Sequence, residues 1–212
     1  MPIRCRCVAI AVFDTDTIKI MPIKGRYSLA KNISVQQIYA SLPEAKNGEI
    51  LLAKNIPNII VETLEKANEP NLFSLFEFTD IPDENGKEVV MQTDLGRGAR
   101  MPTIILRLNK KFFTGKTLNQ INKILKQSDW SLADNIQEAI IHEIGHAKII
   151  RMWKNSSIIR EKQKELEKIK IDGISKVGYT DGNELLAESE IVLSRGGILP
   201  EEVKRLRRKY MG

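Results

Sequence analysis

The stretch Asp134–Ile150, DNIQEAIIHEIGHAKII, decides how the chain is read, and its centre is His142-Glu143-Ile144-Gly145-His146. Histidines four apart on a helix leave the same face about one turn apart, so both imidazoles can reach a single tetrahedral ion. Glu143 is rotated roughly 100° from His142 by the helical period. A carboxylate there stands beside the ion without ligating it, where it can take a proton from ion-bound water. Ile140, Ile141, Ile144 and Ile149 cover the rest of the circumference, so the helix reads as buried on most sides, and a buried helix must satisfy its polar groups. The chain has two histidines in 212 residues, and both stand here. Gly145 costs a helix interior about 1 kcal/mol relative to alanine, which points to another backbone or a substrate passing close.

This spacing is the H-E-x-x-H signature of zinc hydrolases. A histidine pair needs at least one more protein ligand, and with no third histidine the choice is a carboxylate or the distant Cys5 and Cys7. The segment Asn183-Glu184-Leu185-Leu186-Ala187-Glu188 offers two glutamates one turn apart on one helical face, with Asn183 as its cap. Leu185, Leu186, Ile191 and Val192 would pack that helix down. Zinc on His142, His146 and Glu184 leaves a fourth position to water. Glu188 is then placed to accept the free ring N–H of a ligating histidine. Read without the upstream motif, the same segment is a capped amphipathic helix with exposed glutamates. Cys5 and Cys7 share one face of a strand, a poor geometry for a disulfide; they read as reduced thiols, with one reaching the zinc as the sharper alternative.

Outward from the motif, Ser131-Leu132-Ala133-Asp134 matches a capping box that opens the helix. Leu118, Ile121, Ile124 and Leu125 mark a preceding helix of about three turns. Thr103–Leu108, TIILRL, is an apolar strand, and its edge is where a zinc peptidase would hold substrate as an added strand. Thr93–Met101, with two glycines and two arginines, reads as a mobile loop. Leu72–Ile81 reads as a strand, the Asn85-Gly86 turn leads to Val89–Gln92 as its hairpin partner, and a helix covers Asn58–Ala67. Arg4–Phe13 and Ile18–Ile23 form a hairpin about Asp14-Thr15-Asp16. Ser34 caps a short helix to Ser41, and Glu44–Glu49 is the best boundary. The chain thus divides into an accessory segment, 1–45, and a domain over 46–212. Ile158–Ile171 reads as an exposed, charged helix anchored by Leu166 and Ile169, an excursion between the two halves of the site.

A composition of 42% hydrophobic and 28% charged residues is that of an ordinary globular chain. Val8–Phe13 is too short to span a bilayer and lacks a convincing cleavage site, so neither a signal peptide nor a membrane segment is expected. Much of the net charge of +6 comes from Lys204 to Lys209, KRLRRK. Those residues read as the solvated face of a helix starting at Pro200 with Val203 and Leu206 inward; a contact with nucleic acid is the minority alternative.

Together the two motifs resemble those of the gluzincin metallopeptidases, which pair H-E-x-x-H with a downstream N-E-x-x-x-[DE] helix. The sequence is more closely similar to the catalytic domain of anthrax lethal factor and to related domains in phage head-associated proteins. In that group an H-E-[FIY]-G-H-A segment precedes a tyrosine and then E-x-x-A-E. Here these are His142–Ala147, Tyr179 and Glu184–Glu188, and the likeness covers roughly Thr103 to Gly196. It implies an α+β zincin-like domain, a small mixed sheet carrying the two motif helices. The implied activity is zinc-dependent cleavage of a protein or peptide substrate, with Glu143 as general base and Tyr179 donating to the developing oxyanion. Phage head or virion components become candidate partners, and a cytoplasmic or virion-associated location follows. The rival from another class is a phage structural protein that contacts nucleic acid and keeps a zinc site without turnover.

Overall fold

The computed structural model describes residues 55–83, 86, 88–96, 103–153, 155–172 and 174–212. The expected N-terminal hairpin, the helix from Ser34, the boundary at Glu44–Glu49 and the two cysteines lie outside them. Among the described residues the chain is mixed α+β, with seven helices and one three-stranded sheet. Helix α1, Ile56–Lys66, starts on Pro57 in its first turn, where a missing N–H costs nothing, and buries Ile56, Ile60 and Leu64 at helical spacing. The strands are β1, Leu75–Thr79, β2, Met91–Gly96, and β3, Thr103–Asn109.

The sheet order is β1-β3-β2, with β1 parallel and β2 antiparallel to β3. Three expectations change here. The segment after Gly86 does not pair with β1 as a hairpin, because β3 lies between them. Nor is β3 an edge: it is the central strand, which its nearly unbroken apolar run suits, since both its faces are covered. Among the described residues the edge strand beside the helical layer is β2, and it takes in Thr93–Gly96, the first part of the supposed loop; 97–101 fall outside the described residues. At the end of β3, the buried Asn109 side chain accepts from Ile81 N–H at 3.2 Å and donates to Val89 C=O at 2.6 Å. The same side chain caps the short helix α2, Lys110–Phe113.

Helix α3, Leu118–Gln127, follows, capped by Thr117 and Gln120. The motif helix α4, Ile136–Met152, packs against α1, β2 and the later helix α6, Gly182–Ser194. Between them α5, Ser156–Leu166, is shorter than expected and is not merely an exposed excursion, because Ile159, Gln163 and Leu166 are buried. Helix α7, Glu201–Tyr210, begins after Pro200 with Val203 and Leu206 inward, as the pattern predicts, and adds Tyr210. One core joins the sheet with α1, α3 and α4, and a smaller one joins α6 and α7 around Leu185, Leu186, Leu199, Val203 and Tyr210. No helix of the described residues is long and apolar enough to cross a membrane.

Candidate metal centre

Helix α4 is capped by Asn135, whose side chain accepts from Glu138 N–H at 3.0 Å, and not by Ser131. Asn and Ser cap equally well, so the sequence offered several starts within a turn. Helix α6 is capped two residues earlier than expected. Asp181, not Asn183, accepts from the N–H groups of Asn183 at 2.8 Å and Glu184 at 3.1 Å. Burial, with the charge of Glu184 adding to it, pushes the Asp181 carboxyl up to about 6.

The two helices cross at Gly145 and Ala187. A Cβ on Gly145 would lie 2.6 Å from Ala187 Cα, so what passes close to the glycine is the backbone of α6. Each crossing residue is flanked along its helix by the expected site residues. His142 and His146 bracket Gly145, and Glu184 and Glu188 bracket Ala187. The close approach therefore brings the pairs together.

Among the described residues His142, His146 and Glu184 form a group that could hold a metal ion, each offering one ligand atom within 4.8 Å of the others. All three are buried. His142 Nε2 lies 3.0 Å from His146 Nε2 and 3.3 Å from Glu184 Oε2, and His146 Nε2 lies 3.6 Å from Glu184 Oε1. Ligands about 2.0–2.1 Å from a tetrahedral ion are about 3.3 Å apart. The donor set thus fits a small divalent cation, and two imidazoles with one carboxylate suit a first-row transition metal.

Glu188 is wholly buried and accepts from His142 Nδ1 at 2.8 Å. A carboxylate only accepts, so Nδ1 keeps its proton for Glu188 and Nε2 is the nitrogen left to ligate a metal once its own proton is displaced. The loop before α4 holds Glu188 in turn: the Ser131 hydroxyl donates to Oε1 at 2.6 Å and Leu132 N–H to Oε2 at 2.8 Å. Burial works against the Glu188 charge, but His142, Ser131 and Leu132 N–H outweigh it and hold the carboxyl below its usual range. For His142, burial opposes a charged ring, yet Glu184 and Glu188 overcome it and push the imidazole up to about 10. The site is built to face positive charge.

Glu143 projects from α4 toward β2, where the Thr93 hydroxyl lies 2.8 Å from its Oε2 and 3.1 Å from its carbonyl oxygen. Behind Thr93, Asp94 pairs with Arg107, which also donates to Glu77 at 2.7 Å, so charges tie β2 to β3 and β1. Burial raises Asp94 to about 6 against the pull of Arg107, with Glu77 and Glu143 adding. Lys148 donates to Glu190 on α6 at 2.9 Å, and Arg207 of the basic terminal helix bonds the other oxygen at 2.6 Å. Tyr179 lies on the turn before α6 and is half exposed.

Sequence reasoning missed Thr93, Ser131 and Asp181. Asp181 was within reach, because an aspartate three residues before Glu184 is itself a capping pattern. Thr93 and Ser131 carry no local signal, since each meets its partner fifty or more positions away. Comparison with known proteins returns no matching family model, no matching curated protein and no matching solved structure.

Proposed function

We propose that this chain is a zinc-dependent metallopeptidase of zincin-like fold. The observation that carries the reading is the meeting of His142, His146 and Glu184 donor atoms at 3.0–3.6 Å, next in the helix to a glutamate, Glu143, that is not one of the set and is held by Thr93 of β2. When bound, zinc supplies Lewis acidity toward the scissile carbonyl and acidifies water. The protein does the remainder. Glu143 receives the proton of the attacking water and delivers it to the leaving amine. Glu188, held by Ser131 and Leu132 N–H, keeps His142 in the tautomer that presents Nε2. An extended substrate would pair with the edge of β2, because backbone hydrogen bonds accept any side chain and β2 is the strand that touches Glu143. Tyr179, on the turn before the Glu184 helix, is the proposed oxyanion donor.

The rival reading, a nucleic-acid-contacting structural protein with an inert zinc site, draws little from the basic tail. Arg207 is engaged by Ser189 and Glu190, and Lys204 by Glu201. The deciding experiment measures zinc content and cleavage of a peptide library with three proteins. Wild type should carry one zinc and cleave; Glu143→Gln should keep zinc and not cleave; Glu184→Ala should lose zinc. Zinc lost from Glu143→Gln but kept in Glu184→Ala would exchange the two carboxylate roles, and zinc-loaded wild type that cleaves nothing would favour the rival.

A further inference from the structure

A general base works only if its carboxylate is held toward the water it deprotonates, and a glutamate has three side-chain torsions to restrain. The edge strand supplies such a restraint. The Thr93 hydroxyl lies 2.8 Å from Glu143 Oε2 and 3.1 Å from Glu143 C=O, so one proton is shared between the two ends of the same residue. A donor that spans backbone and carboxylate fixes the torsions between them. Thr93 is 1% exposed and Glu143 6%, so bulk water does not compete for these bonds. The strand carrying Thr93 is itself fixed. Thr93 stands opposite Leu106 of the central strand, and on the other face Asp94 is paired with the Arg107 that Glu77 also engages.

We infer that Thr93 is the positioning residue of the general base. It holds Glu143 Oε2 and, because it belongs to β2, ties the base to the strand against which substrate would lie. The inference rests on the peptidase reading and deepens it. It differs from a packing role for Thr93 in one respect: the hydroxyl matters and the methyl does not.

The test uses the full chain loaded with zinc, a peptide the wild type cleaves, and the variants Thr93→Val and Thr93→Ser. Valine keeps the shape and β-branching and removes the donor. Thr93→Val should stay folded, with a melting temperature lowered by no more than about 10 °C, keep zinc affinity, leave KM within about 3-fold, and lower kcat about 10-fold or more, the scale of one hydrogen bond to a charged group. Thr93→Ser should return kcat to within about 3-fold of wild type. Unchanged or raised kcat in Thr93→Val overturns the inference while leaving the peptidase reading in place. So does loss of zinc or of fold in that variant, which would make Thr93 structural, and so does failure of serine to rescue. No cleavage by zinc-loaded wild type overturns both.

Discussion

Replacing Gly145 by alanine sets helix propensity against tertiary packing, and the two disagree in sign. In an isolated helix the change stabilises by about 1 kcal/mol. Here the new Cβ would lie 2.6 Å from Ala187 Cα, 3.2 Å from Glu190 Cγ and 3.3 Å from Ala187 Cβ. Non-bonded carbons rest about 3.5–4.0 Å apart, so α4 and α6 must part by about 1 Å at their crossing. The nearest atom is backbone and cannot rotate away. Overpacking of this kind costs about 1–3 kcal/mol, so after the propensity gain a net loss of up to about 2 kcal/mol is expected. The greater effect is on the metal. Glu184 lies less than one turn from the contact, and ligand distances tolerate about 0.2 Å, so a 1 Å separation should lower zinc affinity about 100-fold or more. Urea unfolding in the presence of chelator reads the first effect, and competition with a chromophoric chelator reads the second. A Gly145→Ala protein that is more stable than wild type and binds zinc within about 2-fold of it would refute the claim that this contact sets the spacing of the centre.

The remaining predictions concern the groups around the ligands. Glu188→Ala should lower zinc affinity or activity by about 10- to 100-fold, and Ser131→Ala should lower it less, because Leu132 N–H still holds the carboxylate; equal losses would mean that the hydroxyl alone orients it. Because His142 is raised to about 10, zinc must displace a proton across the neutral range. Zinc affinity and the zinc-induced rise in melting temperature should therefore increase from pH 6 to pH 9, and a flat profile would count against the raised imidazole. Without zinc the sign reverses. The stabilisation from the imidazolium is complete below the unfolded pKa of about 6.5 and fades as pH climbs toward 10. Tyr179→Phe should keep fold and zinc and slow cleavage about 100-fold, while full activity would remove the phenol from the mechanism.

What could be read from the sequence is what lies within one helix or one strand. The helical period alone puts His142 beside His146 and Glu184 beside Glu188, and sets Glu143 off to the side. It also assigns the strand at Thr103 and the inward face of the terminal helix, because apolar spacing records which side of an element is buried. The assembly depends on contacts between elements, and spacing along the chain carries no such information. Gly145 signalled that something approaches; only packing showed it to be Ala187 of α6, and with it the register that joins the two halves of the centre. Strand order followed the same rule. Edge and central strands differ in which neighbours they find, so β2 took the edge expected of β3, and Thr93, read as loop, came to rest on the glutamate. Ser131 went to Glu188 instead of capping α4, since a hydroxyl that serves either role locally is claimed by the buried carboxylate, whose unmet charge would cost more than an alternative cap.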